Sequence, residues 1–402
     1  MNELRSQIAG LHQKIHGKKL VYFDWAATNF PPDCVVDAIS NTMKREHGSI
    51  RRGVHSVSSS STLRYEASRE RMARFINGKP SAFIFTSGTT QGLNLVAHCA
   101  GNHLKKGDIV LLSQLEHHSH LLPWQMMAKK QDFQIKLIRH NRNGRISLSH
   151  AEQLFVEGNV RVIGFPMVSN VLGTVQPTLA LIALAQKYDA KVVLDGAQAV
   201  GHYPIDVQKL GVSAFAFSGH KLYGPTGIGG LWVHPDWLSE WEPYQAGGGM
   251  VSNVSSEGTS FLPAPYRFEA GTPNLAGVVG MAKASDWLED IGWENIINTE
   301  NQLKGYLLEK LRAIEGLNLL CTQPDIPLFS FVIDGIHAHD IGTALDFEGI
   351  AIRVGHHCAQ PLHDALKLDA SARISLSFLN TFEECDFFMD ALQQIITYFR
   401  GI

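Results

Sequence analysis

Between Val21 and about Gly271, short apolar runs alternate with helical patterns, and this alternation restricts the chain to few architectures. The runs Ala82–Phe85, Ile109–Ser113, Gln134–Ile138, Val160–Phe165, Lys191–Leu194, Ala214–Phe217 and Gly230–His234 read as seven short buried strands. Helical spacing of apolar residues, as in Leu179–Tyr188, fills several of the gaps. Strands apolar throughout and separated by helices predict a mostly parallel α/β sheet covered on both faces. The Gly-, Ser- and Pro-rich stretch from Gly247 to Pro265 reads as a long loop, either functional or at an interface. After Pro273 the pattern changes. Two helical patterns, Leu275–Asp290 and Trp293–Ile314, precede strands near Leu317–Leu320, Leu328–Ile333 and Ile350–Arg353, with a last helix over Phe382–Phe399. The expected division is an amphipathic helix and basic turn over 1–20 that packs with the small domain, a large domain over 21–273, and a smaller α+β domain over 274–402 that carries Cys358.

A chain of 402 residues has ample core for one large and one smaller domain. Its formal net charge of −3 supplies no basic field, so nucleic acid is not an expected partner. Apolar stretches are too short for a membrane span, and the start lacks a signal-peptide apolar region. The five cysteines, Cys34, Cys99, Cys321, Cys358 and Cys385, are widely spaced without a Cys-x-x-Cys, which fits free thiols in a cytoplasmic protein.

Candidate chemistry starts at Lys221, in Ser218-Gly219-His220-Lys221 after one strand, and Asp195, at the end of another. Such sheets bind ligands at the carboxyl ends of their strands. A lysine and a carboxylate placed there match the needs of pyridoxal phosphate: a Schiff-base amine, and a partner that keeps the pyridinium nitrogen protonated. Ser87-Gly88-Thr89-Thr90-Gln91-Gly92 lies between a strand and a helical run, a setting for an anion at a helix N-terminus. A capped helix with nothing bound explains the same residues. Ser218 and His220 flank Gly219 and could face the same phosphate. Glu116-His117-His118-Ser119-His120 lacks a full metal ligand set, so no metal is expected; an imidazole stacked on a pyridine ring accounts better for His117. Gln198, three residues after Asp195, is within reach of the phenolic oxygen of such a ring. In the second domain Cys358 lies in Arg353-Val354-Gly355-His356-His357-Cys358-Ala359, a polar loop among histidines and an arginine that favours a thiolate. Arg373 falls inside an apolar strand pattern. A guanidinium there requires an anion, either a substrate carboxylate or a structural salt bridge.

Taken together, these segments resemble the class V aminotransferase superfamily of fold-type I pyridoxal phosphate enzymes. Within it the chain is similar to the group II cysteine desulfurases and selenocysteine lyases of the SUF and CSD kind. The resemblance is essentially full-length and adds Asp24-Trp25-Ala26-Ala27-Thr28, Arg64-Tyr65-Glu66, Ser169-Asn170-Val171-Leu172-Gly173 and Glu269-Ala270-Gly271-Thr272-Pro273-Asn274 to the segments above. It implies that Lys221 is the Schiff-base lysine and Cys358 the nucleophile that accepts sulfur from L-cysteine as a persulfide, leaving L-alanine. Asp195 pairs the pyridinium, His117 stacks on the ring and Gln198 reaches its phenolic oxygen. Thr90, Ser218 and His220, supported by Thr89, hold the phosphate. Thr272 reaches the phosphate of another subunit, which implies a homodimer. Asn170 and Arg373 hold the substrate carboxylate, with His55 and Arg353 at the entrance. The resemblance further implies sulfur delivery to a SufE/CsdE-like acceptor protein and a side activity on selenocysteine. Another class V activity (an aminotransferase, cysteine-sulfinate lyase or C–S lyase) is the alternative within the superfamily; a dimeric scaffold that has lost catalysis is the alternative outside enzymes. Trp25, Ser87 and Gln91 replace the family's usual Ser, Arg and Glu, and Ser49-Ile50-Arg51-Arg52-Gly53 departs from its usual Asn-x-His-Arg-Gly. These changes bear on substrate preference and partner choice.

Overall fold

The computed structural model describes residues 2–51 and 53–401. Seven strands form its central sheet: β1 (Phe83–Thr86), β2 (Asp108–Ser113), β3 (Gln134–Ile138), β4 (Asn159–Pro166), β5 (Lys191–Asp195), β6 (Ala214–Ser218) and β7 (Gly229–Val233). Their order across the sheet is β1-β7-β6-β5-β4-β2-β3. Only β7 runs against its neighbours; the pairs from β6 to β3 are parallel. Residues of β1, β2, β6 and β7 are buried throughout, as a sheet covered on both faces requires. All seven strands expected from the apolar runs are present, each within one or two residues of its expected ends.

This topology sends the carboxyl ends of β1, β2, β4, β5 and β6 to one edge. The helix Thr89–Gly101 starts just beyond β1, and the loop to the helix His118–Gln131 leaves β2. Beyond β6, Gly219–Lys221 forms a single 3-10 turn. These connections supply most of the functional site.

A second, antiparallel sheet is formed by β8 (Leu317–Leu319), β9 (Leu328–Ile333), β10 (Arg353–Gly355) and β11 (Ser371–Ser375), in the order β8-β9-β11-β10. Its core includes Leu303, Leu307, Phe329, Phe331, Phe388 and Leu392 from the sheet and the helices Trp293–Arg312 and Phe382–Arg400.

Two expectations need correction. The amphipathic helix ends at Ser6, and a 3-10 turn and a two-residue hairpin, Lys14–Ile15 with Lys18–Lys19, occupy the rest of the first twenty residues. Gly10 lies in this turn against the Phe30 ring, from which a Cβ would be only 2.3 Å away. The helix is anchored by Arg5, whose Nη2 donates to Glu384 Oε1 at 2.6 Å. The long loop from Gly247 contains an exposed hairpin, Val251–Ser255 with Gly258–Phe261. Its mixed Ser, Asn and Thr residues carry no apolar alternation to reveal it. Val21–Tyr22 pairs in parallel with Ile350–Ala351, which ties the start of the first sheet region to the second.

Candidate active site

One pocket gathers side chains from both sheets. Its lining includes Thr89, Thr90, His117, Asn170, Asp195, Gln198, Ser218, His220 and Lys221 from the first region, and Arg353, His357, Cys358 and Arg373 from the second. Its volume of about 180 Å³ is many times the 10–15 Å³ or so that one buried water needs. The space suits a molecular ligand.

Lys221 is half-buried as a residue, while protein surrounds its amino group. Burial lowers its pKa to about 8; the carboxylate of Asp195 opposes that shift, and the Arg373 and Arg353 charges assist it. A lysine in this state loses its proton far more readily than a surface lysine. Asp195 ends β5, and its Oδ1 accepts a 2.9 Å hydrogen bond from Ala197 N. Gln198 Nε2 donates to Ala26 O at 2.7 Å, which holds the amide against the pocket wall. His117 caps the helix His118–Gln131, its Nδ1 accepting from Ser119 N at 3.1 Å. Burial, then the charge of Lys221, pushes the His117 pKa down to about 4, so the ring is neutral near pH 7.

The anion end consists of neutral donors. No side chain caps the helix Thr89–Gly101 at Gly88, whose φ of 151° favours glycine. Ser218 Oγ accepts from Thr89 N at 2.8 Å and lies 2.7 Å from Thr89 Oγ1, which binds the β6 end to the start of that helix. Thr90 Oγ1 meets Ser119 Oγ at 2.8 Å. The buried Nδ1 of His220 finds no partner among the described residues, and burial lowers the His220 pKa to about 4. Hydroxyls, helix-end N–H groups and an unpartnered imidazole nitrogen, with a carboxylate and a readily deprotonated amine beyond them, fit pyridoxal phosphate.

Arg373, also in the lining, is both ion-paired and available. Its Nη1 donates to Asn170 O at 2.8 Å and its Nη2 to Asp24 Oδ1 at 3.1 Å, whereas its buried Nε has no partner. Burial raises the Asp24 pKa despite the pull of Arg373. Asn170 Nδ2 donates to His357 O at 2.8 Å, and His118 N donates to Cys358 O at 2.8 Å. The loop between β10 and the helix Gln360–Leu366 is therefore held from the first region. His357 and Cys358 are consecutive residues with φ of 52° and 57°, a left-handed conformation uncommon outside glycine.

Residues 21–388 match the family model for class V aminotransferases. The chain belongs to that family. Its relatives include a cysteine desulfurase of Escherichia coli (strain K12 / DH10B), 40% identical over 98% of each chain. Among solved structures, apo cysteine desulfurase from Thermococcus onnurineus NA1 superposes with a TM-score of 0.93 at 34% identity, covering 100% of this chain and 98% of that one. The cysteine desulfurase CsdA of Escherichia coli, in an S-sulfonic acid form, gives a TM-score of 0.91 at 33% identity over 99% and 98% of the two chains.

Of the site residues expected from the sequence, two lie outside the pocket. His55 is exposed and caps the helix Ser56–Phe75, its Nδ1 accepting from Ser58 N at 3.3 Å. Thr272 is exposed and lines a separate depression with Ser49, Ile50, Arg51 and Glu269. Ser87 and Gln91 border Thr272 on its other side and are hydrogen-bonded to each other. Trp25, by contrast, is buried in an aromatic cluster with Tyr22, Phe30 and Tyr223. Asp24, Ser119 and His357 were not assigned roles from the sequence. Asp24 meets Arg373 across 349 positions, and no local pattern signals such a pair.

Proposed function

We propose that this chain is a pyridoxal phosphate-dependent cysteine desulfurase, converting L-cysteine to L-alanine and holding the sulfur as a persulfide on Cys358. One observation carries the reading: the same pocket unites an enclosed lysine whose pKa falls to about 8 with a cysteine on a tethered loop. A lysine opposite a carboxylate suits the whole class; the cysteine adds a nucleophile within the same cavity.

Asp195, Gln198, His117, Thr89, Thr90, Ser218, His220 and Lys221 are the residues that hold the cofactor. Bound there, pyridoxal phosphate acts as an electron sink that acidifies the substrate Cα–H. Arg373 Nε, the guanidinium's unpartnered nitrogen, takes the substrate carboxylate, with Asn170 beside it and Arg353 adding positive charge. Lys221 Nζ, whose burial lowers its pKa to about 8, is neutral more often than a surface lysine and in that form removes the Cα proton. Cys358 Sγ, as thiolate, then attacks the substrate sulfur. The S–S bond forms as the C–S bond breaks, the electron pair of that bond stays with the substrate Cβ, which takes up a proton, and return of a proton from Lys221 Nζ to Cα completes L-alanine. Neutral His117 beside Lys221 is placed to carry a proton in these steps.

The Cys358 loop is only four residues long between Gly355 and Gln360 and is bound at both His357 and Cys358. A loop so held does not swing far, so a SufE/CsdE-like acceptor protein comes to it. The exposure of Thr272, outside its own pocket, supports a homodimer in which Thr272 completes the partner's phosphate site. Selenocysteine is a second substrate on this reading. All five cysteines are free thiols, which supports a cytoplasmic setting. No described helix is long and apolar enough to cross a membrane.

The test is product analysis with L-cysteine under a reductant. The expected result is stoichiometric L-alanine, lost in Cys358→Ala. Pyruvate with free sulfide, undiminished in Cys358→Ala, would instead mark a C–S lyase.

A further inference from the structure

Directly before the cysteine, His357 belongs to a buried relay that the reaction sketched above does not use. Its Nε2 lies 2.9 Å from Ser371 Oγ, and His363 Nε2 lies 3.0 Å from the same oxygen. The far nitrogen of His363, Nδ1, is 3.2 Å from Ala359 O. All three side chains are buried, and Ser371 stands across from Gly355 in the pairing of β10 with β11.

The proton positions follow by elimination. A carbonyl oxygen only accepts, so the hydrogen of His363 sits on Nδ1. Burial depresses the His363 pKa, so its ring is neutral and its Nε2 is an acceptor. Ser371 therefore gives its single hydroxyl hydrogen to His363. The Ser371 oxygen then accepts, and His357 must donate from Nε2. Burial, followed by the charge of Arg373, holds the His357 pKa down at about 2, so this ring has no second proton. Its Nδ1 is left as a bare lone pair. That nitrogen is buried, has no partner among the described residues, and belongs to a side chain that lines the active-site pocket.

A buried acceptor with nothing to accept is uncommon and points to a ligand. The pocket also contains the converse, the unpartnered donor Nε of Arg373. A ligand that carries a carboxylate and a hydrogen-bond donor on one small frame satisfies both. We propose that His357 Nδ1 is the acceptor for a donor of the bound amino-acid thiol, its S–H or its amino N–H, with Ser371 and His363 as positioning residues that lock the accepting tautomer. This inference rests on the desulfurase reading for the identity of the ligand, not for the state of the ring.

The decisive experiment is long-range proton–nitrogen NMR of the holoenzyme labelled with nitrogen-15 histidine, with His357 assigned by its disappearance in His357→Gln. The expected result near neutral pH is a neutral ring with hydrogen on Nε2 and none on Nδ1. Hydrogen on Nδ1, or a charged ring, overturns the proposal. Because this needs no substrate, it stands or falls separately from L-cysteine turnover, whose absence in the wild type would defeat the functional reading alone. Kinetics add a second arm. Ser371→Ala, which frees the tautomer, should raise KM for L-cysteine about three- to ten-fold with a smaller change in kcat, the size of one neutral hydrogen bond. An unchanged KM overturns the positioning role. L-alanine, which lacks the thiol, separates the two donors: its binding weakens equally in Ser371→Ala if the amino group is the donor, and is unaltered if the S–H is.

Discussion

The two halves of the site are built differently. Lys221, Asp195, Ser218 and Thr89 stand at or just beyond the ends of buried strands, so the sheet itself fixes them. Cys358 stands on a loop whose backbone is left-handed at two successive non-glycine residues and is held by hydrogen bonds from Asn170 and His118. In the first half, burial sets the chemistry, through the lowered pKa values of Lys221, His117 and His220. In the second, tethering sets the placement. A base needs a tuned proton affinity, and strand ends in a dry core supply that. A nucleophile needs a fixed position against the cavity, and a short tethered loop supplies that.

Breaking each half should therefore give different failures. Lys221→Ala should lower all turnover by at least about 10²–10⁴-fold, the range for loss of a positioned acid–base group. Cys358→Ala should abolish alanine formation yet retain exchange of the L-cysteine Cα hydrogen with deuterated water, followed by mass spectrometry. Loss of exchange in Cys358→Ala would mean that the halves are not separable.

Arg373 lies between them, paired to Asp24 and facing the pocket. Arg373→Lys removes the planar fork and should cost roughly 1.5–3 kcal/mol, or about 10–100-fold in kcat/KM for L-cysteine. An effect confined to thermal stability would make the arginine purely structural.

Lys221 also sharpens the contrast through pH. Its pKa falls from 10.5 in an unfolded chain to about 8. Below about pH 8 both states are charged, and the folded cofactor-free protein bears the full cost of enclosing an ammonium. As pH rises from about 8 to 10.5 the folded state loses its proton first, so this contribution to stability increases with pH. Lys221→Met should thus stabilise the cofactor-free protein at pH 7 by up to about 3 kcal/mol, with the advantage shrinking over that window in denaturant titrations. A pH-independent difference would contradict the burial of the lysine.

The tether gives the smallest effect. Asn170→Ala deletes one hydrogen bond to the His357 carbonyl, worth about 1 kcal/mol, and should lower kcat roughly five-fold while cofactor absorbance is unchanged.

The contrast extends to what the sequence reveals. Strand ends are local: an apolar run followed by Asp195 or by Ser-Gly-His-Lys announces both the element and the residue that it presents. The seven strands and the pocket's lysine, aspartate, threonines and cysteine were legible for that reason. The hairpin after Gly247 was not, because its strands are exposed and polar and lack alternation. Asp24 was invisible as the partner of Arg373 because 349 positions separate them, and the Ser371 hydroxyl shared by two histidines was invisible because it joins a strand to a loop and a helix, which no pattern within one element records. His55 illustrates a different limit: its role as a helix cap is local, but whether it faces an active site depends on neighbours beyond its own segment.

The central claim is that sulfur passes from L-cysteine to Cys358. Intact-protein and peptide mass spectrometry after brief exposure of the holoenzyme to L-cysteine tests it directly. The account predicts one added sulfur atom, mapped to Cys358 and matched by an equal amount of L-alanine. Turnover of L-cysteine with Cys358 unmodified and the added sulfur absent, or located on Cys34, Cys99, Cys321 or Cys385, would contradict it.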